Sequence, residues 1–198
     1  MNNLLNNIST MFKKYGVKSV TMDDIAGEFG ISKKTLYKHF ENKIDVIYKV
    51  AHFEFDKERE ELEKLCRKHK HVIDQLYAIS KFMIEMNFKL TLPLTYSMDK
   101  YYPAIWKELL NKRETHILNI ITNNFNTGIK QGIYKKNVDM NIIQHFYAFL
   151  LNIKSIEMYN DWIVEKFEDT FITIFIYHIR GIANKVGIEY LEKQFLRD

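Results

Sequence analysis

Cysteine, proline and glycine are scarce in this 198-residue chain. The single cysteine, Cys66, excludes an internal disulfide and a cysteine-based zinc site, and it agrees with a reducing cytoplasm. With two prolines and seven glycines there are few helix breakers, which favours helices over sheets. No apolar run approaches the roughly 18 residues of a membrane helix, and the start MNNLLNNISTMFKKYG lacks the features of a signal peptide. We therefore expect a soluble, cytoplasmic protein with no membrane partner.

Catalytic and metal-binding motifs are also missing. The chain contains no phosphate-binding glycine-rich loop, no G-x-S-x-G turn and no H-E-x-x-H sequence. His69 and His71 are two residues apart, a spacing that points them to different sides of a helix and away from a shared metal. We expect no enzyme, no cofactor and no metal site, with a catalytic site built from distant residues as the alternative.

Positive charge is concentrated near the N-terminus. The net charge of the whole chain is only +4, but residues 1–50 contain eight lysines and five acidic residues. Basic charge gathered at one end indicates a polyanionic partner, and a solvated surface is the alternative interpretation.

Apolar periodicity and capping residues predict four helices in the first 70 residues, over 3–15, 22–29, 33–39 and 43–68. Gly16 and Gly30 end the first two helices. Side chains that can accept hydrogen bonds from free backbone N–H groups precede the other three: Thr21, with Asp24 in capping-box spacing, then Ser32, then Asn42 with Asp45.

The rest of the chain is predicted to be helical as well, over 72–89, from 103 to about 128–132, over 139–158 and 164–185, and from Gly187 onwards. We expect a break at LTLPLTYSMDKYYP, which Pro93 and Pro103 bracket. The run FITIFIY has β-propensity, but no hairpin turn or partner strand accompanies it, so we predict helix there too. The fold class is all-α: an N-terminal three-helix helix-turn-helix domain (residues 1–46), joined by a long fourth helix to a C-terminal helical bundle (residues 47–198).

The second and third helices have the spacing of a helix-turn-helix, with small Ala26 where two helices cross and Gly30 at the turn. Several polar or amphipathic residues of the third helix are not needed for a core: Lys33, Lys34, Thr35, Tyr37, Lys38 and His39. Such a helix fits the major groove of DNA, while Thr21, Ser32 and Lys43 can bind phosphates. A solvated basic helix in a bundle is the alternative.

The stretch TMDDIAGEFGISKKTLYKHFENKIDVI resembles the DNA-binding domain of TetR-family transcriptional regulators, and about 45 N-terminal residues share the likeness. The resemblance implies phosphate contacts from Thr21, Tyr37, His39 and Lys43. It implies base or groove contacts from the residues on the third helix: Lys33, Lys34, Thr35 and Lys38. Position 34 is often glycine in the family, so the lysine here implies a different operator or a phosphate contact.

The last two long helices are apolar around most of their circumference, so we expect one side to face the chain's own core and the other a second subunit. A wholly buried central helix is the alternative. The resemblance implies a homodimer through these helices, and the residues that we assign to its interface are Phe149, Ile153, Ile172, Ile176, Ile179 and Ala183.

The middle of the chain is rich in aromatic residues and methionine, which suit a cavity for an apolar or planar ligand. The candidate ligand-binding residues are Phe82, Met86, Tyr102, Trp106, His116, Phe125 and Phe146. Ordinary core packing explains each of them equally well.

The most economical interpretation is a transcriptional repressor that binds a palindromic double-stranded operator as a homodimer and is released by a small effector. The alternatives are a regulator that uses no small effector, and a helical ligand- or protein-binding module with no DNA role. The lysine cluster from Lys33 to Lys43 separates these alternatives, because only the DNA-binding interpretations need it.

Overall fold

The computed structural model describes residues 1–89, 92–152 and 167–196, and within these ranges the regular structure is helical, as the sequence predicts. Its helices are α1 (Asn2–Tyr15), α2 (Met22–Glu28), α3 (Lys33–Leu36), α4 (Lys43–Lys68), α5 (Val72–Lys89), α6 (Leu92–Tyr101), α7 (Pro103–Lys130), α8 (Met140–Asn152), α9 (Phe167–Ile182) and α10 (Lys185–Phe195). A single bridge between Tyr134 and Ala183 is the one β-type pairing in the described part of the chain.

The predicted caps are present at the starts of α2, α3 and α4. Thr21 and Asp24 form a complete capping box, in which each side chain accepts a hydrogen bond from the other residue's backbone N–H, at 3.1 and 2.8 Å. The Ser32 hydroxyl accepts from the N–H of Thr35, and the Asn42 amide oxygen accepts from the N–H of Asp45. These contacts link residues three apart in sequence, so each helix start is determined locally.

The helices α6 and α10 begin where the sequence pattern predicts otherwise. The predicted break before Pro103 contains α6, because Pro93 is the second residue of that helix, where a missing N–H costs nothing. The last helix begins at Lys185 instead of Gly187, because the Asn184 side chain caps it by accepting from the N–H of Gly187. The FITIFIY run lies within α9, so the helical prediction there is confirmed.

The helix α3 is shorter than predicted. It ends at Leu36, and residues 37–39 continue as turns in which Lys38 and His39 donate to the carbonyls three residues earlier. Tightening of the last turn in this way is common where a helix ends.

The chain divides into two compact units, one of residues 1–61 and 89–113 and the other of residues 62–88 and 114–198. Both α4 and α7 are continuous across this division. The predicted boundary at residue 46 separates a DNA-binding domain from an effector-binding and dimerisation domain. This functional division is not tested by the two structural units, so it stays a prediction.

The first unit packs α1, α2, α3, the start of α4, α6 and the start of α7 around one apolar core. Its largest fully buried side chains include Ile8, Ile25, Leu36, Phe40 and Ile47. The buried Arg113 guanidinium of α7 binds both carboxylate oxygens of Glu58 on α4, at 2.6 to 2.9 Å. A buried arginine paired in this two-pronged way fixes α7 to α4, because breaking the pair leaves a buried charge without a partner.

The second unit has its own core, built from the end of α4 together with α5, α7, α8, α9 and α10. Polar side chains cross this core in a chain of hydrogen bonds. The Gln75 amide donates to the carbonyl of Cys66 (2.9 Å), Asn124 donates to Gln75 (2.8 Å), and the Tyr134 hydroxyl donates to Asn124 (3.2 Å). Asn124 and Tyr134 are almost wholly buried, so these bonds satisfy polar atoms that would otherwise destabilise the core.

Candidate nucleic-acid interface

The geometry of α2 and α3 is set by a small core and one turn. Ile25 and Ala26 of α2 and Leu36 of α3 are buried. Gly30 has a φ of 60°, a backbone conformation that is strained for residues with a Cβ atom. After it, the N–H of Ile31 donates a hydrogen bond to the carbonyl of Ala26 at 3.0 Å. The turn therefore holds the two helices in one arrangement and leaves the other side of α3 free for solvent.

The residues predicted to bind DNA all lie outside that core. Seven are exposed and two, Thr35 and Lys43, are half-buried; the exposed ones are Thr21, Ser32, Lys33, Lys34, Tyr37, Lys38 and His39. Half of the Tyr37 surface is exposed, so its ring and hydroxyl are available for contacts with a partner. The structure thus brings lysine, hydroxyl and aromatic side chains together on the surface around α3.

The lysines of this surface differ in how they are held. The Lys33 ammonium contacts Asp23 of α2 at 2.5 Å, but both groups are exposed, so the pair is weak and Lys33 can exchange the carboxylate for a phosphate. The Lys43 ammonium instead donates to the carbonyl of Lys18 at 2.8 Å, and burial lowers its pKa. Lys43 therefore fixes the loop before α2 to the start of α4 in addition to offering charge.

The Thr21 hydroxyl is engaged within its own capping box, since it donates to the Asp24 carboxylate at 2.7 Å. Hydrogen bonds from the backbone N–H and the hydroxyl of Thr21 lower the pKa of Asp24, which keeps this carboxylate charged. A phosphate contact from Thr21 thus requires its hydroxyl proton to turn away from Asp24.

One positioning residue escapes the sequence analysis. The Lys49 ammonium of α4 donates to the carbonyl of His39 (3.0 Å) and to the Asp45 carboxylate (2.8 Å), and it lies over the Phe40 ring. These contacts tie the end of the α3 segment to α4. The spacing of Asp45 and Lys49, four residues apart on one helix, was the available signal.

The residues assigned to a dimer interface do not share one surface. Ile176, Ile179 and Ala183 are buried in the core of the second unit and Ile172 packs against that core, so these four already have their contacts within one chain. Phe149 is 66% exposed, and Ile153 lies outside the described residues. Among the side chains whose burial is described, the large apolar ones that α8 and α9 expose are Ile142, Phe149, Ile174 and Tyr177.

The candidate ligand-binding residues divide between the two cores. Phe82, Met86 and Phe125 are buried in the second unit, where Phe146 packs against the same cluster and His116 is half-buried. Tyr102 and Trp106 belong to the core of the first unit. Within the second unit, Phe125 and Phe146 flank His178, whose ring stacks on Phe146 with centroids 5.1 Å apart.

His178 is the polar centre of that aromatic cluster and was not singled out from the sequence. Its Nε2 lies 3.2 Å from the Tyr147 hydroxyl, and burial lowers the pKa of His178 to about 4. The imidazole is therefore neutral at pH 7. A ligand among these rings would meet uncharged hydrogen-bonding groups in apolar surroundings.

Residues 4–47 match the family described as "Bacterial regulatory proteins, tetR family". The HTH-type transcriptional regulator YhgD of Bacillus subtilis (strain 168) is 29% identical over 128 residues, which cover 63% of this chain and 66% of the relative, slightly less than two thirds of its length. The matched segment of residues 4–47 contains α2, α3 and the first turn of α4, which is where the candidate interface lies.

Solved structures share the fold over most of the chain. A transcriptional regulator from Saccharomonospora viridis in complex with choline has a TM-score of 0.72 at 18% identity, covering 92% of this chain and 96% of the other. A transcriptional regulator of the TetR/AcrR family from Thermobifida fusca YX-ER1 has a TM-score of 0.54 at 20% identity, covering 75% and 78%. The matching family and the Bacillus subtilis relative are transcriptional regulators, a class without enzymatic activity, in agreement with the absence of catalytic motifs from the sequence. None of the described helices is long and apolar enough to span a membrane.

Proposed function

We propose that this chain is a regulator of the TetR family, to which residues 4–47 are similar, and that it binds a palindromic DNA operator as a homodimer and releases it when a small effector binds. The observation that carries the proposal is the exposed face of α3, where lysines and Tyr37 surround a helix whose apolar side is buried. Nothing in the core of the first unit needs these side chains, and their chemistry suits phosphates and base edges.

Within this proposal the side chains have different roles. Lys34 and Thr35 lie at the start of α3, the end of a recognition helix that reaches base edges in the major groove. Lys33 and Lys38 contact bases or the groove. Tyr37, His39, Lys43, Thr21 and Ser32 bind the phosphate backbone, to which helix N-termini add free N–H groups.

The role assignment predicts two classes of variant. Lys43→Met and Tyr37→Ala should weaken binding to all duplexes alike. Lys43→Met should also make the slope of log affinity against log salt less negative by about 2 for a dimer, because each subunit then neutralises one phosphate fewer. Lys34→Ala and Thr35→Ala should instead change sequence preference, by ~1–3 kcal/mol at the affected base pair. Lys193→Ala, on the exposed surface of α10, removes the same charge as a control and should alter neither.

The measurement is an unbiased selection of bound sequences from a random duplex pool, followed by titration of the selected operator and a scrambled duplex with each variant. A Lys43→Met protein that changes sequence preference while keeping its overall affinity would contradict the division of roles. Failure of the unmutated chain to enrich any sequence would contradict the proposed function itself.

A second subunit is proposed to cover the exposed apolar surface of α8 and α9. Ile142 and Phe149 are seven residues apart and share one face of α8, while Ile174 and Tyr177 are three apart and share one face of α9. Each of these side chains is more than half exposed, and apolar side chains grouped on a surface are typical of protein–protein contacts. A dimer also explains how two reading heads would address a palindrome, about one helical turn apart.

The effector is proposed to bind in the second unit, among Phe125, Phe146, Tyr147 and His178. These rings offer apolar faces with a neutral imidazole and a hydroxyl, which suits an apolar or aromatic molecule with one or two polar groups. The choline held by the Saccharomonospora viridis structure supports a small-molecule site in this fold. A regulator that uses no small effector is the alternative.

A further inference from the structure

A group of lysines and tyrosines lies on the first unit outside the helix-turn-helix. The Lys100 ammonium of α6 donates to the Tyr96 hydroxyl at 2.7 Å and lies over the rings of Tyr96 and Tyr101, 5.1 and 5.4 Å from their centroids. The Lys18 ammonium, from the loop after α1, lies 4.0 Å from the centroid of the Tyr101 ring. We call Lys18, Tyr96, Lys100 and Tyr101 the lysine–tyrosine patch.

The patch is accessible and positively charged. Tyr96 is 58% exposed and Tyr101 is 37% exposed, and both lysines are exposed. Among the residues that the structure describes, no carboxylate lies within ion-pair distance of Lys18 or Lys100. This contrasts with Lys13, Lys49 and Lys112, which each contact an acidic side chain.

A lysine held on a tyrosine ring keeps its charge available. The ring faces one side of the ammonium and attracts it without neutralising it, so the N–H groups on the other side can still bind an anion. The two tyrosines also order two flexible side chains before any ligand arrives, which lowers the entropy cost of binding. Consistent with this, the hydrogen bond from Lys100 to Tyr96 raises the pKa of Lys100, so its charge persists at any physiological pH.

The patch is continuous with the candidate DNA interface. The carbonyl of Lys18 accepts a hydrogen bond from Lys43, one of the predicted phosphate ligands. Lys43 in turn interacts electrostatically with Asp24, whose carboxylate is bonded to Thr21. The Lys18 and Lys43 ammonium groups also lie close enough to interact electrostatically, and the Tyr101 ring contacts both Lys18 and Lys100.

We propose that the lysine–tyrosine patch binds phosphates of the DNA that flanks each operator half-site. The patch contributes affinity without reading sequence, because it presents ammonium and hydroxyl groups and no groove-sized element. This inference depends on the proposed function, and it extends the DNA contact from the helix-turn-helix to α6.

The test uses the selected operator in two lengths: a duplex that ends at the outer edges of the half-sites, and one extended by ~10 base pairs, about one helical turn, on each side. The unmutated protein should bind the extended duplex about 10-fold more tightly. The slope of log affinity against log salt should also be more negative by about 4 on the extended duplex, because two lysines in each of two subunits would neutralise four more phosphates. The pair of changes Lys18→Ala and Lys100→Ala should remove this gain and leave the affinity for the short duplex within about 3-fold.

Lys100→Ala alone should reduce the difference in slope between the extended and the short duplex by about 2, which is half of it. Because its side chain is exposed on α6, this variant tests the patch even if Lys18→Ala disturbs the neighbouring loop. Lys193→Ala is the matched control and should keep the full gain. Phosphate-ethylation interference should map the flanking contacts and lose them in the Lys100→Ala protein.

The outcomes separate this inference from the proposed function. Equal affinity of the unmutated protein for the two duplexes, or an unchanged gain in the double variant, would overturn the inference while leaving operator binding intact. If the unmutated protein binds no duplex of either length but binds vesicles of acidic phospholipid, the proposed function and the inference would both be wrong.

Discussion

The paired substitution Phe149→Asp and Tyr177→Asp should convert a homodimer into a folded monomer and weaken operator binding by more than about 100-fold. Both side chains are about two-thirds exposed in the single chain, so new carboxylates there cost a monomer little. In a dimer they would place charges without partners in an apolar interface, at ~3–5 kcal/mol each. A monomer also loses the gain from binding two linked half-sites together, which amounts to about 10²–10⁴ in affinity.

Two controls make this result specific. Gln194→Asp adds the same carboxylate to the exposed surface of α10 and should leave the dimer unchanged. Ile179→Asp lies on the same helix as Tyr177, but Ile179 is fully buried, so this change should unfold the second unit instead of only separating subunits. Sedimentation at micromolar concentration and far-ultraviolet circular dichroism distinguish the two effects. A monodisperse monomer for the unmutated chain would contradict the proposed dimer.

An effector bound in the second unit should weaken operator binding by roughly 5–150-fold, which corresponds to a coupling of ~1–3 kcal/mol. We propose that α4 is the physical link. Its first turns contribute Val46, Ile47 and Val50 to the core of the first unit, and its last turns contribute Leu62 to the core of the second. A stiff helix that packs in both cores transmits a shift at one end to the other, provided that the effector favours one of the two arrangements.

The polar chain in the second unit gives this link a testable route. The Tyr134 ring lies 5.0 Å from Phe125, and hydrogen bonds connect Tyr134 through Asn124 and Gln75 to the carbonyl of Cys66, in the last turn of α4. Gln75→Leu removes the hydrogen bond to the carbonyl of Cys66, the last one in this chain of contacts. We expect this variant to bind the effector normally and to show a smaller effect of the effector on operator affinity.

A thermal-shift screen of apolar and aromatic compounds, with choline included, would identify ligands, and operator titration with each hit would measure the coupling. Phe146→Ala should weaken binding of the hit and thereby locate it. A ligand that binds at Phe146 and leaves operator affinity unchanged would refute the coupling mechanism, while the fold would be unaffected.

Local signals account for what the sequence predicted well. The caps at Thr21, Ser32 and Asn42 depend on partners three residues away, and the bounds of α4 and α5 coincide with the predicted ones. The start of α6 was missed because Pro93 was interpreted as a helix terminator, although a proline fits equally well in a first turn.

Long-range pairing accounts for what the sequence predicted less well. Periodicity shows that α9 is apolar on more than one side, but it does not tell which side meets the chain's own core. The interface prediction therefore includes Ile176 and Ile179, which are buried, and omits Ile174 and Tyr177, which are exposed. Composition likewise marked Trp106 and Phe125 as similar aromatic residues, while the fold places them in different cores. His178 was not among the predicted site residues, because a lone histidine on an apolar helix has no distinguishing spacing.

The central claim is that the exposed, lysine-rich surface around α3 binds DNA electrostatically, with its lysines displacing counterions from the phosphates. The most direct test is the affinity of the unmutated protein for its selected operator, measured at a series of salt concentrations. If a dimer neutralises about 6–8 phosphates, log affinity should fall against log salt with a slope of roughly −5 to −7. A slope near zero would contradict the claim.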